Sequence, residues 1–247
     1  MKHSSPKSSG NPLVAKLETF SPMEDEDREA LLAAFADVRD LPADRDIIRE
    51  GANPDHIHLM VEGWAARYKL LPDGSRQITA FLIPGDFCDL HITILGQMDH
   101  SILALTPSRV AFVPAKVMEA LPLERPKLAR ALWWATLVDE AVLRAWIVNL
   151  GRREAHERIA HLLCELHVRL IHVGLAQDGH FDLPVTQEEL ADALGLTAIH
   201  TNRVLQRLRT EGLITLKERR LTILDIEGLG KLAGFDPNYL HARNGAG

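Results

Sequence analysis

Thr186-Gln187-Glu188-Glu189 opens the segment that most restricts what this chain can become. A threonine with glutamate three positions later is a capping box: the hydroxyl accepts the fourth residue's backbone N–H, and the carboxylate reaches back to the first. The pattern predicts a helix to Leu194, stopped at Gly195, where glycine tolerates the left-handed backbone of a helix end. Thr197 then caps a second helix running to about Glu211 and ended by Gly212. Leu190, Ala191, Leu194, Leu196, Thr201, Val204, Leu205 and Leu208 fall on one side, with the small Ala191 where the helices cross. Thr201 stands where Val or Ile is more usual. Two short helices joined by a tight glycine turn form a helix-turn-helix, whose second helix enters the major groove of DNA.

The outward side of that second helix carries Ala198, Ile199, His200, Asn202, Arg203, Gln206 and Arg207. Arg203 suits guanine or a phosphate, Asn202 an adenine, and Ile199 a thymine methyl, with His200 beside them. Arg207 and Arg209 lie further along, where phosphate is the expected contact. Thr186, Gln187 and Thr197 are expected to anchor the motif on the duplex. After Gly212, residues 213–216 and 221–224 read as a two-stranded wing with a basic tip that includes Lys217 and Arg219.

A net charge of −6 runs against DNA binding, so the distribution decides. Residues 203–220 hold six basic side chains against Glu211 and Glu218, a local +4 that can serve as the electrostatic footprint. Such a patch predicts salt-sensitive binding that leans on geometry. The two cysteines, Cys88 and Cys164, are too few for a disulfide framework or structural zinc and fit a reducing compartment. No stretch approaches the ~20 apolar residues that span a bilayer, and the Ser/Lys/Pro-rich start has no apolar signal core. The expectation is a cytoplasmic protein without a membrane partner.

Upstream the texture differs. Residues 1–12 read as a disordered lead and 22–36 as an amphipathic helix with an acidic first turn. From Asp46 to about Pro114, short apolar runs alternate with Gly and Pro punctuation at roughly ten-residue spacing, the signature of an antiparallel sandwich or roll. LLPDGSRQI is a hairpin with Asp-Gly at its reversal. A long helix is expected over about Glu124–Leu150. In it Leu128, Ala135, Val142 and Asn149 recur every seven residues, with Ala131, Val138 and Ala145 between them. This reads as a seam for a second copy of the chain, with Trp133, Trp134, Leu137, Trp146 and Ile147 packing on the roll. Gly151 is expected to break the helix, a second helix to follow over about Arg153–Val173, and residues 174–184 to be a linker.

This order resembles the cyclic-AMP receptor / fumarate-nitrate regulator (Crp/Fnr) family over nearly the whole chain. The signposts are Gly51, Gly63 and Pro84-Gly85-Asp86-Phe87, with TQEELADALGLTAIHTNRVLQRLRTEGLI at the DNA end. The resemblance implies an α+β chain in three parts. Residues 13–122 form a double-stranded β-helix, a cyclic-nucleotide-binding-like roll; residues 123–150 form the dimerisation helix; residues 151–226 form the winged helix-turn-helix. It implies a homodimeric transcription regulator on palindromic double-stranded DNA, with RNA polymerase as a further partner and a signal received by the roll. At the family's effector positions stand Asp89-Leu90 and His100-Ser101, where cyclic-nucleotide binders carry Gly-Glu and Arg-Ser. Without that arginine a cyclic phosphate loses its counter-charge, and Asp89 repels it, which speaks against cyclic AMP and leaves the cofactor unknown. The N-terminal cysteine cluster of iron–sulfur members is missing, which excludes that cluster on ligand count. Ala198 and Ile199 replace the family's common base readers and predict a different operator.

Two other readings stay open. A ligand-free roll would make the chain a constitutive regulator. His56, His58 and Glu62, three potential ligands on one strand, partly resemble the metal motif of cupins, and a metal-dependent enzyme is the third reading. Asp86, Asp89, His91, Asp99 and His100 add candidates for metal or haem. Strand alternation predicts Ile57, Leu59 and Val61 inward and both histidines outward. No nucleophile elbow, Walker loop or dinucleotide fingerprint supports catalysis.

Overall fold

The computed structural model describes residues 10–20, 22–90 and 92–241; the lead ahead of Gly10 and the candidate His91 lie outside them. Pro12–Glu18 forms a helix, α1, between the expected lead over 1–12 and the helix expected over 22–36, in a stretch for which the sequence predicts no element. Asn11 caps it by accepting from Leu13 N at 3.0 Å, and Leu13, Val14 and Leu17 are buried. The chain reversal at Pro84-Gly85 is the reason it docks. Gly85 has φ 90°, and a Cβ there would sit 2.8 Å from the Pro12 carbonyl oxygen, so only glycine admits α1 this closely. Asp25–Ala34 is α2, with Asp25, Glu26 and Asp27 in its first turn.

The roll follows: β1 (Val38–Leu41), β2 (Arg45–Ile48), β3 (His56–Glu62), β4 (Ala65–Leu70), β5 (Arg76–Leu82), a single-turn helix α3 (Ile92–Leu95), β6 (Ser101–Ala104) and β7 (Ser108–Pro114). Two antiparallel sheets, ordered β1-β7-β3 and β2-β6-β4-β5, close over buried Ile57, Leu59, Ile78, Phe81, Ile102 and Val110. The Asp-Gly hairpin joins β4 to β5, as its sequence predicts. The outer edge of β3 is covered by residues 85–89: Met60 N donates to Asp86 O, and Cys88 N to His58 O. Alternation nevertheless fails on β3, where Asp89 and Phe112 lie against the His58 ring. Residues 57–60 are all buried, and His58 lies inside rather than outside.

Helix α4 (Ala115–Glu124) ends at Arg125, whose guanidinium donates to Asp27, and α5 (Pro126–Arg152) restarts at a proline suited to a first helical position. The expected unit beginning at 123 is thus two helices, and Gly151 lies within the second rather than breaking it. The faces of α5 are reversed from expectation. Leu128, Ala131, Ala135, Val138, Val142 and Asn149 are buried against this same chain, while Trp133, Leu137 and Ile147 are exposed. Of the residues expected against the roll, only Trp134 and Trp146 are buried. Trp134 stacks on Phe20, and Trp146 meets Phe81 edge-on.

Helix α6 (Ala155–His172) leads into β8 (Ala176–Gln177) and β9 (His180–Asp182), strands formed by the expected linker. They complete a four-stranded sheet, β10-β11-β9-β8, with β10 (Ile214–Lys217) and β11 (Arg220–Ile223) on the far side of α7 (Gln187–Leu194) and α8 (Ala198–Thr210) in sequence. The chain continues past 226 as α9 (Ile226–Ala233), packed on α6, and a 3-10 turn, Pro237–Leu240, packed on α5.

A charged cluster joins these units. Arg169 of α6 donates to Asp86 of the roll at 2.6 Å, to the Phe81 carbonyl at 2.8 Å and to Glu165 at 3.1 Å. Lys16 of α1 completes the pairing of Asp86. Burial opposes charge on Asp86, yet Lys16 and Arg169 outweigh it and hold its pKa down at about 2. Glu165 is fully buried and also accepts from Trp146 Nε1 and from the Tyr239 hydroxyl, the latter at 2.8 Å. Its desolvation still raises its pKa.

Candidate nucleic-acid interface and effector cleft

The helix-turn-helix is built by local chemistry. Glu189 N donates to Thr186 Oγ1 at 3.1 Å and Thr186 N to Glu189 Oε2 at 2.6 Å, closing the capping box. Gly195 ends α7 in the left-handed region at φ 61°, and Arg158 of α6 donates to the Leu194 carbonyl at 2.6 Å, tying down a carbonyl left free at the helix end. Thr197 Oγ1 accepts from His200 N at 3.2 Å and starts α8. Leu190, Ala191, Leu194, Val204, Leu205 and Leu208 are buried as their spacing predicts. Thr201 is fully buried too, and its hydroxyl has no hydrogen-bond partner among the described residues.

The outward face of α8 is open. Ile199 is 74% exposed, His200 and Arg203 are exposed, and the Arg203 side chain makes no hydrogen bond among the described residues. Asn202 is half-buried, and its Nδ2 donates to Gln187 Oε1 at 2.8 Å. Arg207 pairs with Glu211 one turn on. Arg209 faces the wing instead, half-buried with its Nη1 3.5 Å from the Leu216 carbonyl. The wing turns through Glu218 and Arg219, both at positive φ, a reversal that matches strand twist. Lys217 and Arg219 are exposed at its tip, and Arg219 also borders a cleft toward Glu62 and Trp64 of the roll.

The two domains touch at this motif. Arg76 Nε lies 2.8 Å from Asp192 Oδ2, and Gln77 donates to the Ala193 carbonyl at 3.4 Å, so β5 holds the back of α7.

The four residues expected to bind an effector are only partly brought together. Asp89 and His100 border a cleft of about 630 Å³ between the roll and α5, with Arg67, Met98, Thr136 and Leu143. Leu90 does not line it. Ser101 is buried with its Oγ accepting from Glu50 N. Asp89 is committed elsewhere: its carboxylate accepts from His58 N and Nδ1, both at 2.7 Å. Sequence reasoning missed Arg67, whose Nη1 donates to Asp139 of α5 at 2.9 Å. No spacing signals a pair 72 residues apart. His100 bonds Asp99 through Nδ1, and burial, helped by Arg67, lowers its pKa. Burial and the neighbouring Asp89 push the Cys88 thiol well up.

The metal reading loses its geometry. Among the described residues no three His, Cys, Asp or Glu side chains are grouped to hold an ion. His56 turns to Asp55, and His58 is buried against Asp89 and Phe112. No helix of the described residues is long and apolar enough to cross a membrane.

A cyclic-nucleotide-binding-like roll followed by a winged helix-turn-helix defines a class of DNA-binding transcription regulators. Residues 38–124 match the family model of the cyclic nucleotide-binding domain, and residues 157–232 that of the Crp-like helix-turn-helix domain. The transcriptional activator protein FnrL of Cereibacter sphaeroides is 30% identical over 86% of each chain. The nitrogen fixation regulation protein FixK of Bradyrhizobium diazoefficiens is 34% identical over 67% of this chain and 69% of its own. Among solved structures, FixK2 from Bradyrhizobium japonicum superposes with a TM-score of 0.73 at 28% identity, over 81% of this chain and 98% of that one. The chain belongs to the Crp/Fnr family of transcription regulators.

Proposed function

We propose that the chain works in the cytoplasm as a homodimer that reads a two-fold symmetric duplex site with α8, and that it contacts RNA polymerase as the family resemblance implies. The observation that carries the DNA reading is the open face of α8, where the side chains of Arg203, Ile199 and His200 are exposed and make no hydrogen bond among the described residues, and rest on two side-chain-capped helices. Thr186, Gln187, Thr197, Arg207, Lys217 and Arg219 flank that face and suit backbone contacts. The second copy has a surface to meet. Trp133, Leu137, Glu140, Arg144 and Ile147 fall on one line at alternating four- and three-residue steps, the spacing of a coiled-coil seam.

Selecting duplexes from a randomised pool with the wild-type chain, then titrating Arg203→Ala, tests the site. The variant should lose roughly tenfold or more on the selected duplex, in the range of one base contact. Unchanged affinity removes Arg203 from the assignment.

The cleft beside α5 is the natural place for a signal. Its guanidinium, Arg67, is already engaged by Asp139, and Asp89 by His58, an arrangement that favours an effector other than a cyclic phosphate, or none. Thermal unfolding against a metabolite panel separates these. Stabilisation that grows with ligand concentration identifies a sensor, and cyclic AMP is expected to give none.

A further inference from the structure

Gln187 is the first residue of α7 and Asn202 stands in the second turn of α8, and their side-chain amides meet at 2.8 Å with Asn202 donating. We infer that these two amides form one reading unit, in which Asn202 selects an adenine and Gln187 both fixes its orientation and grips the adjoining phosphate. The inference rests on the reading of α8 as the groove-facing helix and concerns which residue sets which base.

Counting donors and acceptors carries it. An asparagine amide has two N–H groups and one carbonyl oxygen. One N–H is consumed by Gln187 Oε1. What remains is one N–H beside one carbonyl, the pair that meets adenine N7 and N6–H in the major groove. Gln187 has spent its oxygen on Asn202 and is left with an NH2 that only donates. A phosphate oxygen only accepts, and phosphates border the groove in which α8 lies.

The arrangement resists inversion, and discrimination follows from that. Guanine shows two acceptors, N7 and O6, where adenine shows an acceptor and a donor. To suit guanine O6, Asn202 must flip, which turns its carbonyl against Gln187 Oε1. Gln187 can answer only by flipping too, and then it presents oxygen to a phosphate. Each step in the chain places acceptor against acceptor. The backbone supports this rigidity, since the capping box holds the start of α7 and Thr197 holds the start of α8.

The experiment uses the full-length chain. Wild type, Asn202→Ala, Gln187→Ala, Gln187→Glu and the Asn202→Ala/Gln187→Ala double variant are first matched for thermal unfolding. Their affinities are then measured on the duplex that wild type selects and on versions changed at one base pair at a time. Wild type should prefer adenine at one fixed position of each half-site by roughly tenfold. Asn202→Ala should erase that preference and no other. Gln187→Ala should lose most of the same preference, and the double variant should be no worse than Asn202→Ala at that position. Gln187→Glu should keep the adenine preference, because its carboxylate still accepts from Asn202, while losing affinity for every duplex through repulsion by phosphate. Failure of wild type to enrich any duplex overturns the DNA reading and the amide pair together. Enrichment of a site on which Asn202→Ala keeps every preference, or on which the two single losses simply add, overturns the amide pair alone.

Discussion

Arg169 on α6 and Asp86 in the roll lie 83 residues apart and meet at 2.6 Å, both nearly excluded from water. The same guanidinium also serves Glu165, so one cation sits between two buried carboxylates of different domains. The helix that leads into the DNA-binding unit is thereby bolted to the turn that receives α1.

Removing that cation should be severe. Arg169→Met leaves Glu165 buried without its cation and Asp86 with Lys16 as its one remaining cation among the described residues. Loss of one member of a buried pair typically costs about 3–5 kcal/mol. Urea unfolding is the measurement, and a loss under about 1 kcal/mol would mean that the cluster contributes no net stability.

His161 supplies a pH dependence of defined sign. Its ring lies edge-on to Phe235 at 5.2 Å and stacks on Tyr239 at 5.9 Å, and its Nδ1 has no partner among the described residues. Burial, then the charge of Arg153, lowers its pKa to about 4. The unfolded chain, with a histidine near its usual 6.5, therefore takes up the proton first as pH falls. The contribution is complete above pH 6.5 and drains away down to about 4, amounting to at most about 3 kcal/mol. His161→Phe should flatten that part of the stability curve relative to wild type. Parallel curves from pH 7 to pH 4 would show that His161 titrates as if exposed.

Thr201 offers a gain. Its hydroxyl is buried without a partner among the described residues, on a helix whose other buried residues are Val204, Leu205 and Leu208. Thr201→Val keeps the shape and removes the unsatisfied group, so stability should rise by about 1 kcal/mol. Equal or lower stability in thermal and urea unfolding would reveal a partner for that oxygen.

The two faces of α5 should answer a charge differently. Leu137→Glu places a carboxylate on the exposed stripe and should yield a folded monomer by analytical ultracentrifugation, with weaker operator binding. Ala135→Glu, on the face buried in its own chain, should unfold the protein instead. A Leu137→Glu chain that stays dimeric would move the interface to another surface.

The helix-turn-helix could be read residue by residue because its determinants are local. The capping box at Thr186, the left-handed Gly195, the Thr197 cap and the buried leucines all act within about a dozen positions. The Asp-Gly hairpin and the wing were legible for the same reason. His58 was not, because alternation assumes one wet face, and at His58 the side chains of Asp89 and Phe112 lie against the ring.

Sequence alone determined the order roll, long helix, helix-turn-helix and wing, since caps, turns and periodicity are interactions between near neighbours; α1, the β8 and β9 strands and α9 emerged only in the fold. Only the tertiary structure decided which apolar stripe of α5 the chain keeps for itself: Leu128, Ala135 and Val142 go inward while Trp133 and Leu137 stay outside. An apolar stripe demands a cover without naming it. Likewise Asp89, placed by sequence among effector ligands, spends its carboxylate on a histidine 31 residues away. Such pairings arise where the fold brings distant segments together and desolvates them, and no spacing along the chain encodes that.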